Sequence, residues 1–345
     1  MGFPDLPRRL PLVLDEFVDE REAQQAPRRT GRKILLTFVV LLLVGVGIVG
    51  GFGAYLATLV ATNVTKEADA LPDLGPIDQE GNPVELPEDA GMNILFVGSD
   101  TRPGDVGRSD VMVLAHITEA RDAVYLTHFP RDLYVEIPGR GKNKINASYA
   151  FGGTSLLVET MQNLLGIKID HVAKTDFEGF QRMTDAVGGV TVYAEEASNR
   201  GNIQEGWNDL DGERALMFVR ERYELSEGDL SRGYRQQAFI KALMMKALSR
   251  ETITNPVRLA QFVDAATQNL TVDQDLDLNE MRKLAFSMTG IRSGDIQFIT
   301  APFSGFGTAP DGGWIEIVDE AAMERLGTAI RTDTMESYED RKVIP

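Results

Sequence analysis

Six charged residues of both signs sit at the ends of three short apolar runs in this chain: Asp100, Arg102, Arg108, Asp110, Arg131 and Asp132. They fall in NILFVGSDTRPGDVGRSDVMVLAHITEARDAVYLTHFPRDLY, residues 93–134. Carboxylates mixed with guanidiniums suit a divalent cation and a phosphate held together. Hard cations such as Mg²⁺ take oxygen ligands, and the planar fork of Arg matches phosphate oxygens. Asp100 and Asp110 are the candidate metal ligands, for Mg²⁺ or Mn²⁺. The loop between them holds Pro103, Gly104 and Gly107, so it can turn tightly against a ligand. A surface salt-bridge cluster around a hairpin uses the same residue types.

Further clusters carry the same chemistry. Pro130-Arg131-Asp132 closes the third apolar run, and Lys144 and Asn146 follow in a polar loop, Gly139–Ala147. Arg220-Glu221-Arg222 reads as the end of a strand over Leu216–Tyr223, where alternation puts both arginines on one face. Like charges side by side repel unless an anion sits between them. In Asp229-Leu-Ser231-Arg232-Gly-Tyr-Arg235-Gln236, Asp229 or Ser231 can cap the following helix. Arg232, Arg235 and Gln236 then share a face of its first turns. Cations disfavour a helix amino terminus, whereas phosphate is bound well there. A pyrophosphate is the ligand that best explains these groups together. No GxxxxGK[ST] or GxSxG motif is present, which argues against a P-loop nucleotidase and a serine hydrolase of the elbow type.

Elements must bring these residues together. Asn93–Ser99, Val111–Ile117 and Ala123–His128 read as strands of an antiparallel meander. That places the six charges at one end of one sheet. Gly153–Leu165 has helical spacing, Ile169–Thr175 reads as a strand, Phe177–Ala186 as a helix and Gly189–Tyr193 as a strand. Ser231–Arg250 is an amphipathic helix with Phe239, Ile240, Leu243, Met244 and Leu248 inward. Strands alternating with helices predict an α/β sandwich with a mixed sheet.

Upstream, residues 1–33 read as a disordered tail. Residues 34–62 form one uncharged apolar stretch, longer than the roughly 20 residues a bilayer crossing needs. Arg28, Arg29, Arg32 and Lys33 precede it and Glu67, Asp69 and Asp73 follow. The positive-inside tendency puts the amino terminus in the cytoplasm and the remainder outside the cell membrane, as a single-pass protein. Ala68-Asp69-Ala70 resembles a signal-peptidase site, but the apolar core exceeds that of a cleaved signal, which favours a retained anchor. GxGxxG at Gly45–Gly50 lies inside this apolar segment and lacks the strand–turn–helix context of a nucleotide fingerprint. Gly47 and Gly51 make a GxxxG pair that could assist dimerisation. Residues 63–91, with Pro72, Pro76, Pro83 and Pro87, read as an extended linker. The folded domain is expected over 92–330, its motif core over about 92–250, and 331–345 as a fraying tail.

The formal charge of −17 lacks the basic footprint of a nucleic-acid binder, so no nucleic-acid partner is expected. There is no cysteine, which excludes disulfides and thiolate metal sites. His116, His128 and His171 are scattered and read as ordinary strand residues rather than zinc ligands.

The pieces NILFVGSDTR (93–102), GRSDVMVL (107–114), FPRDLYVEIPG (129–139), KINASYAFGG (144–153), DAVGGV (185–190), FVRER (218–222) and DLSRGYRQQ (229–237) occur in one order over about 160 residues. Together they resemble the LytR-CpsA-Psr family of bacterial cell-envelope proteins. The resemblance implies an α/β/α sandwich with a mixed central sheet, preceded by one transmembrane helix, with a groove for a prenyl chain. It implies a phosphotransferase that moves a glycopolymer from a polyprenyl pyrophosphate carrier to a cell-wall sugar hydroxyl. Asp100 and Asp110 match the family's metal-binding aspartates. Arg108, Arg131, Arg220, Arg222, Arg232, Arg235 and Gln236 match its pyrophosphate-facing positions, and Lys144 and Asn146 its KIN motif. With these residues go Arg102 and Asp132 as pyrophosphate contacts, and Asp100, Asp110, Arg131 and Arg220 as the catalytic set. The base is Asp132 or a metal-bound water. A non-catalytic polyprenyl-phosphate scaffold or sensor would use the same residues. A transcriptional regulator fits neither the outward topology nor the charge.

Overall fold

The computed structural model describes residues 50–78, 81–87, 90–99, 109–226 and 228–338. The amino-terminal tail and residues 34–49 of the expected anchor lie outside them. Among the described residues no helix is long and apolar enough to cross a membrane.

The meander forms as its alternating apolar residues require. Strands β2 (Met92–Ser99), β3 (Ser109–Ile117) and β4 (Val124–Phe129) pair antiparallel in sequence. Four more strands complete the sheet: β1 (Thr65–Glu67), β7 (His171–Asp176), β10 (Thr271–Asp273) and β11 (Ile296–Thr300). Their order is β1-β10-β7-β2-β3-β4-β11, with parallel and antiparallel neighbours. Because β7 is parallel to β2 and β11 is parallel to β4, the carboxyl ends of β2, β4, β7 and β11 emerge at one edge.

Helices cover both faces. Leu95, Val97, Met112, Leu114 and Phe129 point to one side and pack on helices α1 (Ile145–Leu165) and α8 (Glu320–Arg331). Ile94, Val111, Val113 and Leu126 point to the other, where Ile240 and Met244 of α4 (Asp229–Ala247) and Leu284 of α7 (Leu278–Ser287) meet them. Each such side chain removed from water contributes about 1.5–3 kcal/mol. This is the expected three-layer α/β arrangement with a mixed sheet. A second sheet joins β5 (Leu133–Ile137), β6 (Gly141–Lys144), β12 (Phe303–Thr308) and β13 (Trp314–Val318). A hairpin of β8 (Val190–Ala194) and β9 (Gly206–Leu210) stands apart from both sheets. Helices α2 (Phe177–Ala186), α3 (Gly212–Arg220), α5 (Arg250–Ile253) and α6 (Pro256–Gln268) complete the fold.

Helix α8 presses closely on the end of α1. A Cβ built on Gly327 would stand 1.9 Å from the carbonyl oxygen of Leu165. Arg331 Nη1 donates to the carbonyl of Gly166 at 2.8 Å.

Several boundaries differ from the sequence reading. The 63–91 stretch is not a free spacer: β1 pairs with β10, Ala70 is buried, and Ile77 N–H donates to Asn163 Oδ1. The folded unit therefore begins well before Met92. At the other end, Met335 and Tyr338 are buried in the core and Asp333 Oδ1 lies 2.9 Å from His116 Nε2. The tail is packed to residue 338, and 339–345 lie outside the described residues. The polar loop at Gly139–Ala147 is instead β6 and the first turn of α1. Helix α1 starts upstream of Gly153 and is broken there, where Gly152 and Gly153 leave helical φ/ψ.

Candidate functional site

The expected strand over Leu216–Tyr223 is a helix. Asp211 caps α3 by accepting from Arg214 N–H, and Ala215, Phe218 and Val219 face a buried cluster at helical spacing. That packing overrides the strand preference of the Phe-Val pair. Arg220 therefore ends a helix, and strand alternation does not govern it and Arg222. Glu221 turns inward, and its carboxylate accepts the backbone N–H groups of Arg222, Tyr223 and Glu224. Burial opposes its charge, but those hydrogen bonds outweigh burial and hold its pKa below the usual range.

The N-cap of α4 is Gly228, with φ +57°, rather than Asp229 or Ser231. The side chain of Asp229 lies outside the described residues. Ser231 Oγ donates instead to Glu196 Oε1 at 2.7 Å. The first turns of α4 lie over the carboxyl ends of β4 and β11. Gln237 Nε2 is 3.0 Å from His128 Nδ1 and 3.1 Å from Thr300 Oγ1.

There a narrow cleft forms. Arg131, Arg232 and Gln236 line it together with His128 and Glu316. Arg131 leaves the end of β4, while Arg232 and Gln236 descend from one face of α4. Gln236 Nε2 also donates to the Val219 carbonyl at 3.4 Å, which ties the end of α3, and with it Arg220, to this corner. Asp132 is buried: Oδ1 accepts from Lys144 Nζ at 2.7 Å, and Oδ2 from Arg131 Nε at 3.3 Å. Both its oxygens hold cations, so Asp132 orients the Arg131 fork. Asn146 N–H donates to the Arg131 carbonyl at 3.3 Å.

Two members of the expected set turn elsewhere. Arg235 is pinned by Ser198 Oγ at 3.0 Å and the Glu196 carbonyl at 2.7 Å, and stacks on Phe218. Arg222 donates to Tyr223 Oη at 2.7 Å and lies over that ring. Asp100, Arg102 and Arg108 lie outside the described residues, as does the side chain of Asp110. The backbone around them is informative. Ser99, the last residue of β2, pairs with Ser109 across a bulge, directly beside Asp110. Among the described residues no group of three His, Asp or Glu is arranged to hold a metal.

Three residues had no site role in the sequence reading. His128 was read as an ordinary strand residue and Gln237 only closed the DLSRGYRQQ piece, yet the two join β4 to α4. Glu316 is a buried acid inside the apolar strand WIEIV, and that misfit was the available signal.

Burial, aided by the charge of Arg232, pushes the His128 pKa down from 6.5 to about 4. Folded His128 thus stays neutral while the unfolded chain already takes up a proton near pH 6.5. Its contribution is complete above that pH and is lost as pH falls toward 4, a decline of about 3 kcal/mol. Urea unfolding between pH 7 and 4.5 should show this loss, and His128→Gln should flatten it.

A gap lies on the same sheet face. Phe96, in the middle of central strand β2, is 44% exposed although Ile94 on the same face is buried. Gly98 continues that face without a side chain. Phe96 is thus an exposed apolar spot on an otherwise covered face, because Gly98 beyond it is buried close to Phe180.

The LytR_cpsA_psr family profile matches residues 60–332. The polyisoprenyl-teichoic acid–peptidoglycan teichoic acid transferase TagU of Oceanobacillus iheyensis is 35% identical over 303 residues, covering 86% of this chain and 91% of that one. The probable cell wall biosynthesis protein LcpB of Corynebacterium glutamicum is 33% identical over 306 residues, covering 83% and 70%. Among solved structures, B. subtilis TagV superposes with a TM-score of 0.59 at 26% identity, covering 70% of this chain and 96% of that one. TagT bound to LI-WTA gives 0.56 at 26% identity, covering 70% and 90%.

Proposed function

Because this chain belongs to the LytR-CpsA-Psr family, we propose that it is a phosphotransferase moving a glycopolymer from a polyprenyl pyrophosphate to a cell-wall sugar hydroxyl. The observation that carries this reading is the cleft where Arg131, Arg232 and Gln236 converge. Guanidiniums suit a pyrophosphate. The TagU relatives are named for polyisoprenyl-linked teichoic acid and peptidoglycan, which agrees in donor and acceptor class.

In this mechanism the acceptor hydroxyl oxygen bonds to the phosphorus that carries the donor sugar and its proton passes to water. The bond from that phosphorus to the bridging oxygen breaks, and prenyl phosphate leaves with the bonding electron pair. Arg131 and Arg232 stabilise charge gathering on the bridging oxygen and the leaving phosphate, where preorganised donors gain most of their rate. Asp132 and Lys144 hold Arg131 in place. The donor set Asp100 and Asp110 is all oxygen and contains no histidine, which fits Mg²⁺ or Mn²⁺. Bound there, the ion would supply further neutralisation of phosphate charge. A membrane anchor over 34–62, amino terminus inside, brings the domain to its lipid carrier on the outer face.

The test is reconstitution. Full-length protein in vesicles, given prenyl-pyrophosphate glycan, a wall-glycan acceptor and Mg²⁺, should release prenyl phosphate and label the acceptor over many turnovers. Stoichiometric binding without turnover would instead favour a scaffold or sensor.

A further inference from the structure

We infer that the larger cavity beside the phosphate cleft is a binding cleft for a neutral sugar chain; this rests on the transferase reading and deepens it. The cavity encloses about 720 Å³. Ser231, Arg235, Ala238, Ala242, Met245 and Ser249 line it at helical spacing. At 1.5 Å per residue that wall runs about 27 Å, so the space is a channel along α4 and the turn beyond it.

Its two ends differ. At the α4 amino terminus, Tyr234 and Thr300 line both this channel and the Arg131–Arg232 cleft. A phosphate in the cleft therefore places its attached sugar at the channel mouth. That end is built firmly, since Glu196 receives Ser231 Oγ and Ser226 N–H while Arg235 is pinned across it. Along the channel the β8–β9 hairpin presents Tyr193 and Trp207, a cross-strand pair with ring centroids 5.4 Å apart at 74°. Trp207 is 73% exposed. Tyr193 is 46% exposed as well, so the two rings form one contiguous apolar surface rimmed by polar residues, the kind that marks a binding site.

Charge selects the occupant. Glu195, Glu196 and Asp319 share the lining with Arg235, Lys241, Lys246 and Arg325. A prenyl chain would strip water from these groups and give nothing back. The interspersed signs favour no single ionic charge on the occupant. A neutral sugar chain suits both features: its C–H faces lie on aromatic rings, and its hydroxyls both donate and accept. Such a chain comes from the wall acceptor or from the glycan on the donor.

The experiment titrates the full-length chain with a soluble β-1,4-linked N-acetylglucosamine tetrasaccharide, sugar-free prenyl pyrophosphate, and prenyl pyrophosphate bearing glycan. Trp207→Ala should weaken a sugar-bearing probe about tenfold and leave the sugar-free lipid unchanged. Trp207→Phe should retain most of the affinity. Weakened tetrasaccharide binding assigns the channel to the acceptor; loss of only the extra affinity that glycan gives the lipid assigns it to the donor. The inference is overturned if neither sugar-bearing probe depends on Trp207, or if the sugar-free lipid weakens equally. Failure of wild-type protein to bind the sugar-free lipid refutes the transferase reading instead, and the tetrasaccharide then decides the channel alone.

Discussion

Arg131→Ala and Arg232→Ala should each lower the turnover of glycopolymer transfer by about 10²–10³-fold, the usual cost of removing one preorganised donor from developing charge. The two side chains reach one cleft from independent elements, the exit of β4 and the first turn of α4. Arg235 is engaged by Ser198 and Glu196 and Arg222 by Tyr223, so neither of those two stands in for them. Arg131→Lys should recover little, since a point charge cannot reproduce the two-pronged contact. The rate of prenyl phosphate release under saturating donor is the measurement. Retention of wild-type turnover in Arg131→Ala would remove the proposed role, provided the variant keeps its unfolding midpoint.

Gly327→Ala should destabilise the domain by about 3 kcal/mol or more, a large loss for one methyl group. Ordinarily alanine stabilises a helix relative to glycine by about 1 kcal/mol. Here the new carbon would fall 1.9 Å from the Leu165 carbonyl oxygen, with the Leu165 carbonyl carbon and Cα also within 3.1 Å. All three are backbone atoms and cannot rotate aside. Helix α8 must therefore lift from α1, opening a core that includes Leu326, Ile330, Met161 and Leu165. Equilibrium urea unfolding compared with wild type measures the loss. A midpoint equal to wild type would show that the two helices have slack.

The meander was legible because its runs are rich in β-branched residues and bounded by turn residues. Phe177–Ala186 was legible too, with Asp176 ready to cap by accepting from Gly179 N–H. The misread element, α3, carries Phe-Val near its end, a pair that local preference assigns to a strand and tertiary packing assigns to a helix. Strands β1 and β10 are three residues each and pair across some two hundred positions, so no local pattern announces them. The gathering of Arg131 with Arg232 and Gln236 followed from cluster chemistry. The departure of Arg235 did not, because its partners lie in a loop at 196–198 with no distinctive sequence. Asp132 shows the same limit: its ion pairs to Lys144 and Arg131 join the end of β4 to β6, which no local pattern announces.

The short parallel strand Thr65–Glu67 has a practical meaning. It blunts an otherwise open border of the main sheet, and from within it Lys66 Nζ clasps the Leu276 carbonyl at 2.6 Å while Lys174 Nζ grips Glu67 Oε2 at 2.6 Å. A fragment trimmed to start at Met92 would strip that border bare, free Lys174 of its counter-charge, and invite edge-to-edge sticking between copies. The stub preceding Met92 belongs to the fold's own architecture, and the shortest sound version of this domain keeps it.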